Sequence, residues 1–202
     1  MITLMTKESD ILKIVKEDIL RCLGEEKTGI SLESIRAEIN VSNIFISKAV
    51  EELEKGSLIK LCNNFISLTK KGKKNAKDIV KKHLVIENYF KETKNEIGAH
   101  KAAHILEHYV SKEVIENIKK LSTFKHKSIP LTEFEIDKEG MITDIIFSDY
   151  GVFERIVSMG IFPGEKIKIT NSISNNIIIN VDNKKIVMSK DMARGIKVYG
   201  EN

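Results

Sequence analysis

The sequence predicts a mainly α protein that ends in a small β-barrel. Three observations predict it. Apolar residues recur at helical spacing as far as about residue 121; short β-type runs divided by Gly and Asn follow Pro130; and four of the five histidines, at 83, 100, 104 and 108, cluster within 26 residues of the helical region. At 202 residues, with 42% apolar and 31% charged residues, the composition is that of a globular chain of one domain or two to three small ones. No apolar run approaches the ~18 residues of a membrane span, and the segment Met1–Lys7 does not resemble a signal peptide. The expectation is a cytoplasmic protein with no membrane partner. Cys22 and Cys62 both lie in apolar surroundings and read as buried thiols rather than as a disulfide framework. The net charge of +4 is mild, and its distribution along the chain is more informative.

Residues 8–23 carry Ile11, Ile14, Val15, Ile19, Cys22 and Leu23 at helical spacing. Ser31 then caps a short helix that turns Leu32, Ile35 and Ile39 inward. After a tight break at Val41-Ser42-Asn43, a second helix buries Ile46, Val50 and Leu53 and stops at Gly56. Two extended runs, 58–61 and 65–68, flank Asn63-Asn64, a hairpin-turn dipeptide. Helix, short helix, sharp turn, helix and hairpin is the order of a winged helix-turn-helix. Its second helix would present Ser42, Asn43, Ser47 and Lys48 to phosphates or base edges. Ile44 and Phe45 leave two options, contact with thymine methyls or burial.

Thr69 caps a long helix in which lysines 70, 71, 73, 74, 77, 81 and 82 are opposed only by Asp78. Beside a winged-helix pattern, Lys70 and Lys71, with Lys60 on the wing, read as phosphate contacts. The helix continues past Phe90, and Asn95 and Gly98 mark a turn. Another helix then sets Ala103, Leu106 and Val110 beside a polar stripe, and Ser111 opens a further one with Val114, Ile115 and Ile118. These helices have more apolar surface than a lone pair hides, so a homodimer seam is expected here, which suits a palindromic operator. Residues 122–129 read as a linker. Runs 134–136, 141–147, 166–169, 177–181 and 185–188, with a brief helix at 152–159, read as a small antiparallel barrel. The domains are therefore expected at 1–75, 76–122 and 130–202, with a linker at 123–129.

On a helix, residues three and four apart share a face, so His100, His104, Glu107 and His108 form one stripe and His83 and Glu87 a second pair. Imidazole nitrogen with carboxylate oxygen suits Fe(II) or Mn(II), and also Co(II), Ni(II) or Zn(II).

Lys82-His83-Leu84-Val85-Ile86-Glu87 and His104-Ile105-Leu106-Glu107-His108-Tyr109-Val110-Ser111 resemble the signature of the diphtheria-toxin-repressor family. These are metal-dependent transcriptional regulators that include the iron-dependent repressors and manganese transport regulators. Arg155-Ile156-Val157-Ser158-Met159-Gly160-Ile161-Phe162-Pro163-Gly164 resembles the FeoA-like, SH3-type barrel of the longer members. The resemblance runs from about residue 9 to 200. It implies a primary metal site at His104, Glu107 and His108 and an ancillary one at His83, Glu87 and His100. A further primary ligand would come from the first helix. Ile14 aligns there and cannot bind a metal, while Asp10 and Glu17 lie one turn to either side. The resemblance implies a dimeric repressor of metal-uptake genes that binds double-stranded DNA, and not an enzyme. The rivals are a winged-helix regulator or adaptor without metal sensing, and a zinc hydrolase built on the His104-x-x-Glu107-His108 pattern.

Overall fold

A computed structural model describes residues 8–26, 28–121 and 124–200. The chain divides into two compact units, residues 1–83 and 84–202.

In the first unit, α1 (Glu8–Glu25) buries Leu12, Val15, Ile19, Leu20 and Leu23, the face its apolar spacing forecasts. A two-residue strand, β1 (Ile30–Ser31), precedes α2 (Leu32–Glu38), and Ser31 caps α2 by accepting from the Ser34 amide at 3.0 Å. α3 (Asn43–Lys55) buries Ile46, Ala49, Val50 and Leu53. β2 (Ile59–Cys62) and β3 (Phe65–Leu68) form an antiparallel hairpin, and β1 adds to β3 to give the order β1-β3-β2. Asn63 and Asn64 have φ of 49° and 63°, as a two-residue turn matched to strand twist requires. Thr69 then caps α4 (Lys70–Lys91), accepting from the Gly72 amide at 3.0 Å. Gly72 permits this close approach, because a Cβ there would lie 1.9 Å from the Leu58 carbonyl oxygen.

The core of this unit is aliphatic, built on Val15, Ile19, Ile35, Ile46, Leu53, Ile59 and Ile66. Arg21 is also buried, and its guanidinium reaches Glu25 at 2.9 Å and Glu38 at 3.4 Å. Cys22 is buried as expected, and burial pushes its thiol pKa up to about 12, which keeps it protonated. Cys62 is instead exposed, because it stands near the hairpin turn rather than over the core.

The second unit takes in the end of α4, then α5 (Glu96–Leu106) and α6 (Lys112–Leu121). Asn95 caps α5 by accepting from the Gly98 amide at 2.8 Å, and Ser111 accepts from the Val114 amide at 3.2 Å at the start of α6. β4 (Ile129–Pro130), β5 (Glu139–Ile145), β6 (Lys166–Ile173), β7 (Asn176–Val181), β8 (Lys184–Ser189) and β9 (Ile196–Tyr199) form one antiparallel sheet in the order β4-β9-β5-β6-β7-β8. α7 (Tyr150–Ser158) and α8 (Lys190–Arg194) interrupt it.

The sheet is open, which corrects the expected closed barrel: β4 and β8 are its edges. β4 has only two residues, and Pro130 has no amide hydrogen to extend a ladder. β8 begins with Lys184 and Lys185, charges that discourage further pairing at an edge. Residues 134–136 are not a strand; they follow a 3-10 turn at Leu131–Glu133 and make a single bridge, Ile136 to Ile169. α8 and β9 were not anticipated. The expected linker lies partly outside the described residues. The rest of it forms a 3-10 turn at Lys125–Lys127 and the start of β4, with Phe124 stacked on Tyr199 at 4.8 Å.

Helices and sheet of this unit share one core, in which Ile86, Phe90, Leu106 and Ile118 join Leu131, Phe153, Ile156, Ile196 and Val198. Phe90 meets Phe153 edge to face at 5.9 Å, and the Tyr89 hydroxyl donates to the Thr143 carbonyl oxygen. Asn117 Nδ2 donates to the Gly164 carbonyl oxygen at 3.0 Å, tying α6 to the loop before β6.

Candidate metal centre and nucleic-acid face

α5 is built to carry histidines on a fixed frame. Its buried face consists of Ala99, Ala102, Ala103 and Leu106, small residues that let the helix lie close to the core. His100 and His104 fall on the other side, with side chains 47% and 29% exposed. The helix ends at Leu106, but Glu107 keeps helical dihedrals (φ −57°, ψ −26°). The stripe read from the sequence therefore survives the end of the helix, with His108 in the turn that follows.

Two overlapping chains of donor atoms result. In the first, Glu87 of α4 reaches His100 Nδ1 at 3.0 Å, and His100 Nε2 lies 3.0 Å from His104 Nε2. The two imidazole rings meet edge to face at 4.5 Å. Lys91 Nζ also approaches Glu87, at 2.6 Å. In the second, the Glu107 carboxylate lies 3.5 Å from His104 Nδ1 and 3.7 Å from His108 Nε2. The Glu107 and His108 side chains are only 3% and 9% exposed. Carboxylates held among imidazoles, nearly out of water, are a mixed nitrogen and oxygen donor set that fits a borderline or hard divalent cation. His83, one turn before Glu87 on α4, is buried.

Of the sequence-selected residues, the structure thus brings Glu87, His100 and His104 together, and likewise His104, Glu107 and His108. The first-helix candidates lie on α1, with Asp10 exposed and Glu17 half-buried. The same helix bears a half-buried acid that the sequence reading did not weigh, Asp18. Its signal was available, since Asp18 stands four residues after Ile14 and so on the same helical face. Lys91 was missed too, although Glu87 and Lys91 have ion-pair spacing.

The residues read as DNA contacts are exposed. Ser42, Asn43, Ser47 and Lys48 stand at the start of α3, opposite its buried face, and Lys60, Lys70 and Lys71 are exposed on β2 and α4. Lys48 Nζ meets Glu8 at 2.7 Å, and Lys71 Nζ donates to the Gly56 carbonyl oxygen at 2.9 Å. Ile44 and Phe45 part ways: Ile44 is 78% exposed, whereas Phe45 packs partly buried on the first core.

Residues 69–128 match the family model described as iron dependent repressor, metal binding and dimerisation domain, and residues 129–199 match the FeoA domain. The chain belongs to the iron-dependent-repressor family, in the form that carries a FeoA domain. Both donor chains of this family member fall inside the first match, and the Arg155–Gly164 motif falls inside the second. No curated protein matches the chain. Among solved structures, it is similar to a manganese-dependent transcriptional repressor in complex with manganese (17% identity, 92% of this chain and 100% of that one, TM-score 0.47). It is similar to IdeR of T. acidophilum (21% identity, 99% of this chain and 100% of that one, TM-score 0.40). It is also similar to an iron uptake regulatory protein, FeoA (27% identity, 37% of this chain and 99% of that one, TM-score 0.34). The family assignment rests on the two domain matches. Among the described residues, no helix is long and apolar enough to cross a membrane.

Proposed function

We propose that the chain is a homodimeric, metal-responsive repressor that binds a palindromic DNA operator, with Fe(II) or Mn(II) as its effector. The observation that carries this reading is the buried Glu107 carboxylate between His104 and His108, within a metal-binding and dimerisation domain. His104, Glu107 and His108 hold one ion, with an acid of the first helix (Asp10 or Glu17) as the further ligand. Glu87 and His100, with His83, hold a second. The bound ion supplies positive charge that offsets the mutual repulsion of these carboxylates. Both proposed sites lack thiol and thioether ligands, which favours a hard or borderline ion.

Residues 1–75 act as a winged helix-turn-helix, with α3 in the major groove and the β2–β3 hairpin as the wing. Ser42, Asn43, Ser47 and Lys48 meet DNA from α3, and Lys60, Lys70 and Lys71 meet phosphates. Residues 76–122 bind metal and form the dimer, and 130–202 are a FeoA-type accessory domain joined through 123–129. An α1 ligand makes the placement of the DNA-binding domains depend on the ion, so that two α3 helices stand about one DNA turn, roughly 34 Å, apart. Driving such a switch from 1:99 to 99:1 takes about 5.5 kcal/mol of differential affinity.

The test is DNA binding to upstream regions of metal-transport genes with and without Fe(II) or Mn(II), alongside His108→Ala. The expected result is metal-dependent binding that His108→Ala abolishes, with an affinity that falls steeply as salt rises. Binding that ignores both metal and the substitution overturns the proposal.

A further inference from the structure

The Glu87 carboxylate serves two partners at once. Its Oε2 lies 3.0 Å from His100 Nδ1, and its Oε1 lies 2.6 Å from Lys91 Nζ. Glu87 stands four residues before Lys91 on α4, with the acid nearer the N-terminus, the favoured order for such a pair. Lys91 is also the last residue of α4, where a cation suits the helix dipole. An ion pair at a helix end is ordinary and stabilises little by itself. The acid of this pair is not ordinary. Its side chain is only 13% exposed, against 41% for Lys91, and it already meets an imidazole.

A carboxylate so far out of water needs a counter-charge. Lys91 supplies one at Oε1. A divalent ion held by Glu87 and His100 would draw on the same carboxylate, and two cations on one acid repel each other. The Lys91 pair therefore weakens the hold of this centre on an ion. Lysine suits such a role, because its flexible stem lets the ammonium leave for solvent.

We infer that Lys91 is an affinity-setting residue of the Glu87–His100 centre: its ammonium competes with the divalent ion for the Glu87 carboxylate and gives way to solvent when the ion binds. This rests on the reading of a second ion at Glu87 and His100 given above. The competitor is carried on α4 itself, so it raises the ion concentration at which this centre fills.

The experiment titrates the full-length protein with Mn(II) by calorimetry and follows its chemical denaturation in Mn(II) or in a chelator. Glu87→Gln marks which affinity belongs to this centre. Lys91→Met keeps the stem and removes the charge; it should tighten that affinity about five-fold, as expected for releasing an ion pair of this exposure. Lys91→Arg, which keeps the charge, should stay near the wild type. Lys101→Met is the control for net charge, since Lys101 follows His100 in the chain but its ammonium lies over the Tyr150 ring; it should leave the affinity unchanged. In chelator Lys91→Met should be less stable than the wild type, and in saturating Mn(II) that difference should close, which a merely structural ion pair would not do. If Lys91→Met does not tighten the affinity, if Lys101→Met tightens it equally, or if the stability loss is the same with and without Mn(II), the inference is overturned and the second centre stands on the effect of Glu87→Gln. If Glu87→Gln weakens no Mn(II) affinity, the second centre falls and the inference with it.

Discussion

The two units solve opposite problems. In the first, the groups proposed to act are exposed and individually weak: lysines, a serine pair and an asparagine, set on an aliphatic core. In the second, the groups proposed to act are histidines and carboxylates drawn partly or almost wholly out of water, on helices that share one core with a sheet. The difference teaches what each task demands. Contact with phosphate and base edges needs reach and solvent access. Metal ligation needs side chains whose positions are set before the ion arrives, and that placement is supplied by packing.

The sharpest way to break the comparison is to disable the buried donors alone. Glu107→Gln and His108→Ala should each lower Mn(II) affinity on the order of 100-fold or more by calorimetry, whereas His100→Ala, at the more exposed end, should cost on the order of 10-fold. Equal losses for all three would remove the distinction between buried and exposed donors. Core substitutions come next. Phe153→Ala should destabilise the second unit by about 3–5 kcal/mol and Ile35→Ala the first by about 2–5 kcal/mol. Native-state amide exchange should place each loss among the amides of its own unit. Ser31→Ala, which removes the cap of α2, should cost about 1 kcal/mol in chemical denaturation.

The smallest expected effect is one of pH. Burial, with the nearby Asp182 and Glu113 carboxylates, raises the pKa of Glu165 above the usual carboxylate value of 4.5. The folded state then favours the protonated acid. Any stability gained from this is present below the usual value and is lost as pH rises through the raised one. Glu165→Gln should therefore be more stable than the wild type at pH 7, with the gap closing toward pH 4 in a denaturation series. A gap that does not change with pH would refute the shift.

Much of the molecule was legible because its signals are local. Ser31, Thr69, Asn63-Asn64 and Asp182-Asn183 announce caps and turns through their own backbone and side-chain chemistry, and the structure has a cap or turn at each. The helical spacing of His100, His104, Glu107 and His108 likewise needs only one turn of chain to be read. The failures are non-local. β9 pairs with both β4 and β5, strands far from it in sequence, and neither its short run nor the two residues of β4 signals this. Cys62 was read as buried from its apolar neighbours, yet its place near a hairpin turn exposes it.

By itself the sequence determined the longer helices, the turns and the helical stripe of His100, His104, Glu107 and His108, since periodicity and residue chemistry act within a few positions of the chain. Only the tertiary structure decided that the sheet stays open, that Glu87 meets His100, and that Ile44 faces water while Phe45 turns partly inward. These outcomes depend on which distant surfaces exclude water together, and no local window of sequence contains that information.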